Sequence, residues 1–186
     1  MEWLYQKEFI PDNMHTNIFL ATFTTCWARL KLYSVLEKLD RHVLYYDTDS
    51  VIYISRAGEY QPVLGDYLGE LTNELDVDEY IVEFVSTGPK SYSIHSNRNN
   101  VVLKIKGITL NFTNSQRINF ETLKQLVFAY NTEKTENETV VISNPRKIVR
   151  NKLKRKLYNR VEKKKYKVVY TKRRIVDNFD TEPYGF

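Results

Sequence analysis

The sequence has few cysteines and histidines and no long apolar run, which are the features of disulfide-rich, metal-bound and membrane-spanning chains. Its single cysteine, Cys26, excludes an internal disulfide framework, and its three histidines show no metal-ligand spacing: His15, His42 and His95. No stretch approaches the ~20 consecutive apolar residues that a membrane helix needs. The first residues also lack the basic-then-apolar layout of a secretory signal. We therefore expect an intracellular protein in a reducing compartment, without a membrane partner.

The charge of the chain is distributed unevenly. Its 186 residues are 42% apolar and 27% charged, which is the composition of a folded protein with one large domain or two small ones. Fifteen of the 28 Lys and Arg residues, but only one of the 23 acidic residues, lie between Arg146 and Arg174. A mildly acidic body with a strongly basic region indicates a polyanionic partner, most often nucleic acid. The alternative is a lysine-rich helix that is simply solvated.

Hydrophobic periodicity predicts an α+β fold. A helical spacing continues from about Ile18 to Leu39, and a leucine stripe predicts a second helix: Leu64, Leu68, Leu71 and Leu75. Asn119 is placed to cap a third helix. Runs rich in β-branched and aromatic residues predict strands at 43–46, 50–54, 80–85, 91–95, 101–106, 140–143 and 167–170. A soft boundary near residue 112 gives two domains, 1–112 and 113–186.

Two aspartates interrupt an apolar run, LYYDTDSVIYI, that extends from Leu44 to Ile54. On a strand, residues two apart point to the same side, so Asp47 and Asp49 would point together and Thr48 away from them. Two such charges repel each other unless a cation lies between them, and Mg²⁺ takes few protein carboxylates together with phosphate oxygens. The pair is therefore a reasonable half of a two-metal phosphoryl-transfer site. Alternatively the pair only caps a turn, which is the commoner role of an isolated D-x-D.

Other motifs with paired aspartates do not fit this stretch. An EF-hand loop needs Asp or Asn where Val51 stands and Gly where Ile52 stands. The aspartic-protease signature needs Gly after Asp-Thr, but Asp49 follows here. Reverse transcriptases carry adjacent aspartates rather than a spaced pair. The motif that remains is Y-x-D-T-D-S, from Tyr45 to Ser50.

This motif resembles motif C of family B DNA polymerases, the palm hairpin that carries catalytic metal ligands. Its surroundings are similar to the protein-primed branch of that family, and within it to the polymerases of Polinton/Maverick transposons. The similar segments are, in order, TTCWARLKLYSVLEKLDRHVLYYDTDSVIY, LGDYLGELTNEL, EFVSTGPKSY, LKIKGITLN and the ending TKRRIVDNFDTEPYGF. The resemblance implies an antiparallel palm sheet with a motif C β-hairpin packed on helices, followed by a basic thumb-like region.

The resemblance also implies roles for the residues of the hairpin. Asp49 would ligate the catalytic metals directly, two Mg²⁺ ions in the complete enzyme, and Asp47 would be the neighbouring acid that supports the metal site. Tyr45, Thr48 and Ser50 would complete the motif and shape the hairpin. Deoxynucleoside triphosphates are the implied substrates, with a terminal protein as one priming option.

Further residues are implied to bind the DNA primer-template. Lys90 and Tyr92 lie in PKSY, which matches the family's K-x-Y motif, and would hold the primer terminus through a phosphate and the sugar or minor groove. Lys104 and Lys106 would share one strand face and reach template or primer phosphates, or else form a solvated edge. The Arg146–Arg174 region would correspond to the thumb that grips the duplex backbone.

Several parts of a complete polymerase are missing from the chain. Nothing resembles motif A, D-x-x-S-L-Y-P, which supplies a further aspartate, or the nucleotide-gripping helix K-x-x-x-N-S-x-Y-G. We therefore expect no polymerisation by this chain alone. Two functions stay open: the C-terminal part of a DNA-directed DNA polymerase in DNA replication, or a non-catalytic, basic DNA-binding remnant of a transposon polymerase. A nuclear location follows if the chain is a eukaryotic transposon product.

Overall fold

The computed structural model describes residues 17–132, 139–170, 173–176 and 181–183. Over these residues the chain is an α+β protein built of helices and antiparallel strand pairs, which confirms the predicted fold class. The chain divides into two compact units, Met1–Asn73 and Glu74–Phe186, and the soft boundary near residue 112 falls within the second. Among the described helices, none combines the length and apolar character needed to cross a membrane.

The first described element of the first unit is a long helix, α1 (Ile18–Leu39), whose bounds match the prediction. The Asn17 side chain caps its start, because its Oδ1 accepts the Leu20 N–H at 3.1 Å. The buried residues all lie in its second half: Leu32, Val35 and Leu39. The large apolar side chains of its first half are exposed in the described chain, among them Phe19, Phe23 and Trp27. Among the described residues of this unit, α1 therefore packs through its C-terminal half.

A tight β-hairpin follows α1 after a short 3₁₀ turn, Asp40–His42. Its strands are β1 (Val43–Asp47) and β2 (Ser50–Tyr53), and they pair antiparallel, which confirms the predicted hairpin. Two contacts fix its base. The His42 carbonyl accepts the Ile54 N–H at 2.8 Å, and His42 Nε2 lies 3.2 Å from a carboxylate oxygen of Glu59.

Residues 54–80 contain no helix, so the helix predicted from the leucine stripe is wrong. Two glycines lie between the leucines, and each destabilises a helix interior by about 1 kcal/mol relative to alanine. Gly69 adopts a φ of 89°, which ends any regular helix at that point. Leu68 is fully exposed, while Leu64 and Leu71 form an isolated parallel bridge. The spacing of the leucines is helical, but the backbone preference of the glycines decides the structure.

The second unit contains a three-stranded antiparallel sheet and two helices. The sheet has the order β3 (Ile81–Gly88), β4 (Ser91–Ser96) and β5 (Val101–Lys104), which confirms three of the predicted strands. The helices are α2 (Phe112–Arg117) and α3 (Phe120–Thr132). Asn119 caps α3 as predicted: its Oδ1 accepts the Thr122 N–H at 3.0 Å.

Most of the basic region belongs to a long two-stranded hairpin, β6 (Val140–Asn151) and β7 (Lys156–Tyr166). The predicted strand at 140–143 is only its beginning, and the alternative of a lysine-rich helix is wrong. At the tip of the hairpin, the Asn151 side chain stabilises the turn. Its Oδ1 accepts the backbone N–H groups of Leu153 at 3.0 Å and Lys154 at 2.9 Å. Further on, β8 (Arg173–Ile175) pairs with β9 (Thr181–Pro183).

The strand predicted at Lys167–Tyr170 is wrong, because these residues follow β7 without a ladder of their own. They nevertheless lie against β3. The Val169 N–H donates to the Thr87 carbonyl at 2.8 Å, and the Tyr170 hydroxyl donates to the Ser86 carbonyl at 2.7 Å. Gly88 approaches the Val169 carbonyl so closely that a Cβ there would overlap it. Single hydrogen bonds thus replace the predicted strand pairing.

The core of the second unit lies where β7 and the following segment meet α3 and the start of β6. Its buried members are Ile105, Ile118, Leu123, Leu126, Ile142, Tyr166 and Val168. The Tyr166 hydroxyl hydrogen-bonds the Thr87 hydroxyl inside this core. Burial raises the pKa of Tyr166 above its ordinary value and outweighs the side-chain hydrogen bonds, which lower it. The inner end of the basic hairpin is therefore part of the folded body.

Candidate functional site

The two aspartates lie at the tip of the β1–β2 hairpin. Asp47 is the last residue of β1 and pairs with Ser50, the first residue of β2, so that Thr48 and Asp49 form a two-residue turn. The Asp49 N–H donates to the Asp47 carbonyl at 2.6 Å, and the Ser50 hydroxyl donates to the same carbonyl at 3.1 Å. These bonds hold the D-T-D-S part of the motif in one compact turn.

The same-side argument made from the sequence is wrong for Asp49. That argument holds for residues of one strand, whereas Asp49 lies in the turn beyond the end of β1. Asp47 is half-buried and Asp49 is exposed. The hairpin thus places both carboxylates at one tip, with Asp47 held at the strand end and Asp49 open to solvent.

Thr48 has an unusual backbone conformation at the centre of this tip. Its φ is 52°, in the left-handed region that a β-branched residue rarely adopts. Such a conformation costs roughly 1–3 kcal/mol and occurs preferentially at functional sites. The Thr48 hydroxyl donates to Asp47 Oδ1 at 3.1 Å. The strained residue therefore also orients one of the two carboxylates.

The remaining motif residues belong to the hairpin strands. Tyr45 is opposite Ile52 and half-buried, and Ser50 is half-buried beside the turn. The pairing shifts between Val43 and Tyr45, which marks a bulge or irregularity in β1. Bulges change the local twist of a strand and redirect its side chains, so this shift affects how the tip is presented.

The donor set of the tip suits a hard divalent cation only in part. Across the described ranges there is no cluster of three or more His, Cys, Asp or Glu residues that could hold a metal ion. Mg²⁺ is bound through one or two carboxylates together with water and substrate phosphates, which matches two aspartates as part of a site. Asp47 and Asp49 fit that chemistry if phosphate oxygens and further ligands complete the shell.

The second unit brings together two of the predicted DNA-binding residues. Tyr92 in β4 is directly opposite Lys104 in β5, and the Lys104 Nζ lies 5.8 Å from the centre of the Tyr92 ring. This distance is within the range of a cation–π contact. Lys90 belongs to the β3–β4 turn and has a φ of 57°. Pairing across the sheet thus makes Tyr92 and Lys104 one surface, although they are distant in the sequence.

The prediction that Lys104 and Lys106 share one strand face is wrong, because β5 ends at Lys104. Lys106 lies in the turn that follows, where its N–H donates to the Ser91 hydroxyl at 3.2 Å. Lys164 was not predicted from the sequence as part of this surface, yet its Nζ donates to the Gly107 carbonyl at 2.6 Å. The folding of β7 against this turn brings Lys164 next to Gly107.

Searches against protein-family models, curated proteins and solved structures each returned no match for this chain. The carboxylate tip belongs to the first unit and the Tyr92–Lys104 surface to the second.

Proposed function

We propose that this chain is the C-terminal part of a DNA-directed DNA polymerase. The observation that carries the proposal is the hairpin tip, which presents Asp47 and Asp49 within Y-x-D-T-D-S on a strained two-residue turn. Two carboxylates at one tip suit a site for nucleotidyl transfer, in which charge builds up on phosphate oxygens. The Tyr92–Lys104 surface adds an aromatic ring and a cation suited to a primer terminus.

The residues of the tip would have different tasks. Asp49, the exposed carboxylate, would ligate the metal ions, and Asp47, oriented by the Thr48 hydroxyl, would support them. Bound Mg²⁺ would supply activation of the primer 3′-hydroxyl and neutralise charge on the triphosphate. A DNA-containing compartment, such as the nucleus, goes with this function.

The basic hairpin favours a second candidate function, a DNA-binding remnant without catalysis. The β6–β7 hairpin carries most of the cations of the chain's basic region, and a basic surface is sufficient for salt-dependent binding of duplex DNA. This candidate needs neither aspartate.

Primer extension by the full-length parent enzyme distinguishes the two functions. We expect Asp49→Ala to reduce incorporation by at least about 100-fold, because removing a charge-stabilising group from such a site costs that order. Asp66→Ala is the matched control, an exposed aspartate of the same unit, and should leave incorporation unchanged. Both variants should bind duplex DNA with wild-type affinity and salt dependence.

An unchanged rate for Asp49→Ala would refute the polymerase proposal and leave DNA binding as the better account. Incorporation by the 186-residue chain alone would instead contradict our expectation that further carboxylates are required.

A further inference from the structure

The outer part of the basic hairpin, residues 148–161, extends past the core of its own unit. At the inner end of the hairpin, Ile142 and Tyr166 are buried. In the outer hairpin, by contrast, large apolar side chains are exposed on both strands and at the tip: Ile148 (70%), Leu153 (96%), Leu157 (69%) and Val161 (63%). Exposed apolar side chains on a surface element indicate an interaction surface.

The charge of the outer hairpin selects the kind of partner. Its cations are Arg150, Lys152, Lys154, Arg155, Lys156 and Arg160, and it contains no acidic residue. Within the described part of the chain, neither Arg150 nor Arg160 has an ion pair or hydrogen bond through its side chain. Such a surface complements a polyanion and opposes a basic one. The cations therefore favour a nucleic acid as the partner of the outer hairpin. An uncharged protein surface could cover the apolar side chains but would leave the cations without partners.

The register of the hairpin sorts its side chains onto two faces. Directly opposite residues share a face, and the faces alternate along each strand. The pairs Ile148–Asn159 and Arg150–Leu157 therefore lie on one face, which we call the Arg150 face. The pairs Val149–Tyr158 and Asn151–Lys156 lie on the other, together with Arg160, and we call this the Arg160 face.

The Arg150 face has the chemistry that distinguishes base pairs. An arginine can bond guanine through two donors, an asparagine can bond adenine in the same manner, and apolar side chains contact the thymine methyl group. The major groove of B-form DNA, about 12 Å wide, admits a two-stranded β-ribbon. The turn between β6 and β7 adds three cations that suit the phosphates at the groove edge: Lys152, Lys154 and Arg155.

We propose that the outer hairpin enters the major groove of duplex DNA and reads base edges through its Arg150 face. The inference rests on the DNA-binding part of the proposed function and does not depend on the chemistry at Asp49. It goes beyond a grip on the DNA backbone because it requires that affinity depends on the base sequence.

A selection from a pool of random DNA duplexes, with the complete chain, tests this proposal. We expect enrichment of a short common sequence that is bound roughly 5- to 150-fold more tightly than unrelated duplexes, the range of one good bidentate contact. Arg150→Ala should remove this preference. The matched variant Arg160→Ala should keep the preference and lower affinity for all duplexes, with the slope of log affinity against log salt smaller by about 1.

Arg150→Lys separates charge from base reading, because lysine keeps the charge but lacks the planar two-donor geometry. We expect this variant to keep the salt slope and to lose the sequence preference. Thermal melting should be unchanged for all three variants, since both arginines are exposed.

Other results would overturn the proposal. Three results would each show that only the nucleic-acid backbone is bound: the absence of an enriched sequence, equal effects of Arg150→Ala and Arg160→Ala, or equal affinity for duplex RNA. In each of these cases the proposed function would stand. Binding of anionic lipid vesicles as tightly as DNA would point to a general polyanion surface instead. If duplex DNA were not bound at all, the proposal would fail, and the DNA-binding part of the proposed function with it.

Discussion

At the scale of single residues, Thr48 is the most informative position in the chain. Its φ of 52° would suit glycine, yet the residue is β-branched and its hydroxyl reaches Asp47. The sequence shows the D-T-D motif but not this strain, since backbone conformation depends on how the two strands close. A strained residue that also holds a carboxylate is typical of a site where orientation matters more than stability.

We predict that Thr48→Gly stabilises the hairpin and weakens the site. Glycine would relieve strain of roughly 1–3 kcal/mol, less about 0.5–1 kcal/mol for its greater backbone entropy when unfolded, so the free energy of unfolding should rise by about 1 kcal/mol. In the full-length polymerase of our proposed function, the same change should lower the rate of primer extension, because Asp47 loses the bond from the Thr48 hydroxyl.

Urea unfolding and primer extension measure the two effects. Thr48→Ala is the control, since it removes the hydroxyl and retains a side chain at positive φ. It should lower the extension rate without the gain in stability. A stability gain in Thr48→Ala as large as in Thr48→Gly would show that the φ of this residue is not strained in solution.

At the scale of elements, the sequence predicted those segments in which local preference and tertiary packing agree. The helix Ile18–Leu39 is found as predicted, and the three strands of the β3–β5 sheet are found with somewhat different ends. The leucine stripe fails because Gly69 opposes it, and the β6–β7 hairpin was missed because a lysine-rich run has no clear period. The D-T-D tip was recognisable, whereas the contact of Lys164 with Gly107 joins residues far apart in the chain.

The contact between β3 and the segment after β7 should make stability depend on alkaline pH. Burial raises the pKa values of Tyr166 and Tyr170 above the ordinary value of 10.0, and for Tyr170 a nearby Tyr130 adds to the effect. Both hydroxyls are bonded at this contact, Tyr166 to Thr87 and Tyr170 to Ser86. A raised pKa in the folded state stabilises the fold below the unfolded pKa, and this stabilisation decreases as the pH rises above 10.

We therefore predict that the free energy of unfolding of the second unit falls as the pH is raised from about 10 to 12. Tyr170→Phe removes one of the titrating hydroxyls and should make this decrease shallower, at the expense of about 1 kcal/mol at neutral pH for the lost hydrogen bond. Denaturant unfolding at a series of pH values measures both. Tyr80→Phe, at an exposed tyrosine of the second unit, should leave the pH profile unchanged, and a wild-type profile for Tyr170→Phe would contradict the assignment.

At the scale of the whole molecule, the charge asymmetry seen in the sequence coincides with a distinct structural element, the β6–β7 hairpin. Most of the cations between Arg146 and Arg174 belong to a hairpin rather than to a helix, and the inner end of this hairpin is anchored in the core. The prediction of a polyanionic partner rests on sequence composition. Composition could not predict the shape of the basic element, because the two faces of a ribbon are defined only by its register.

This arrangement predicts that DNA affinity can be removed without unfolding the chain. Lys147 and Arg160 are directly opposite, so residues 148–159 can be replaced by Asn-Gly, a sequence suited to a two-residue hairpin turn. The replacement removes five of the six cations of the outer hairpin, and the slope of log affinity against log salt should decrease by up to about 4.5. Thermal melting should stay close to that of the complete chain, because Ile142 and Tyr166 remain in the core.

As a control, changing all five cations to glutamine within the intact hairpin should give the same loss of salt dependence, since charge rather than length is then altered. Unchanged affinity in both variants would locate DNA binding outside the hairpin, and a loss confined to the shortened chain would assign binding to its length and apolar side chains instead of its charge.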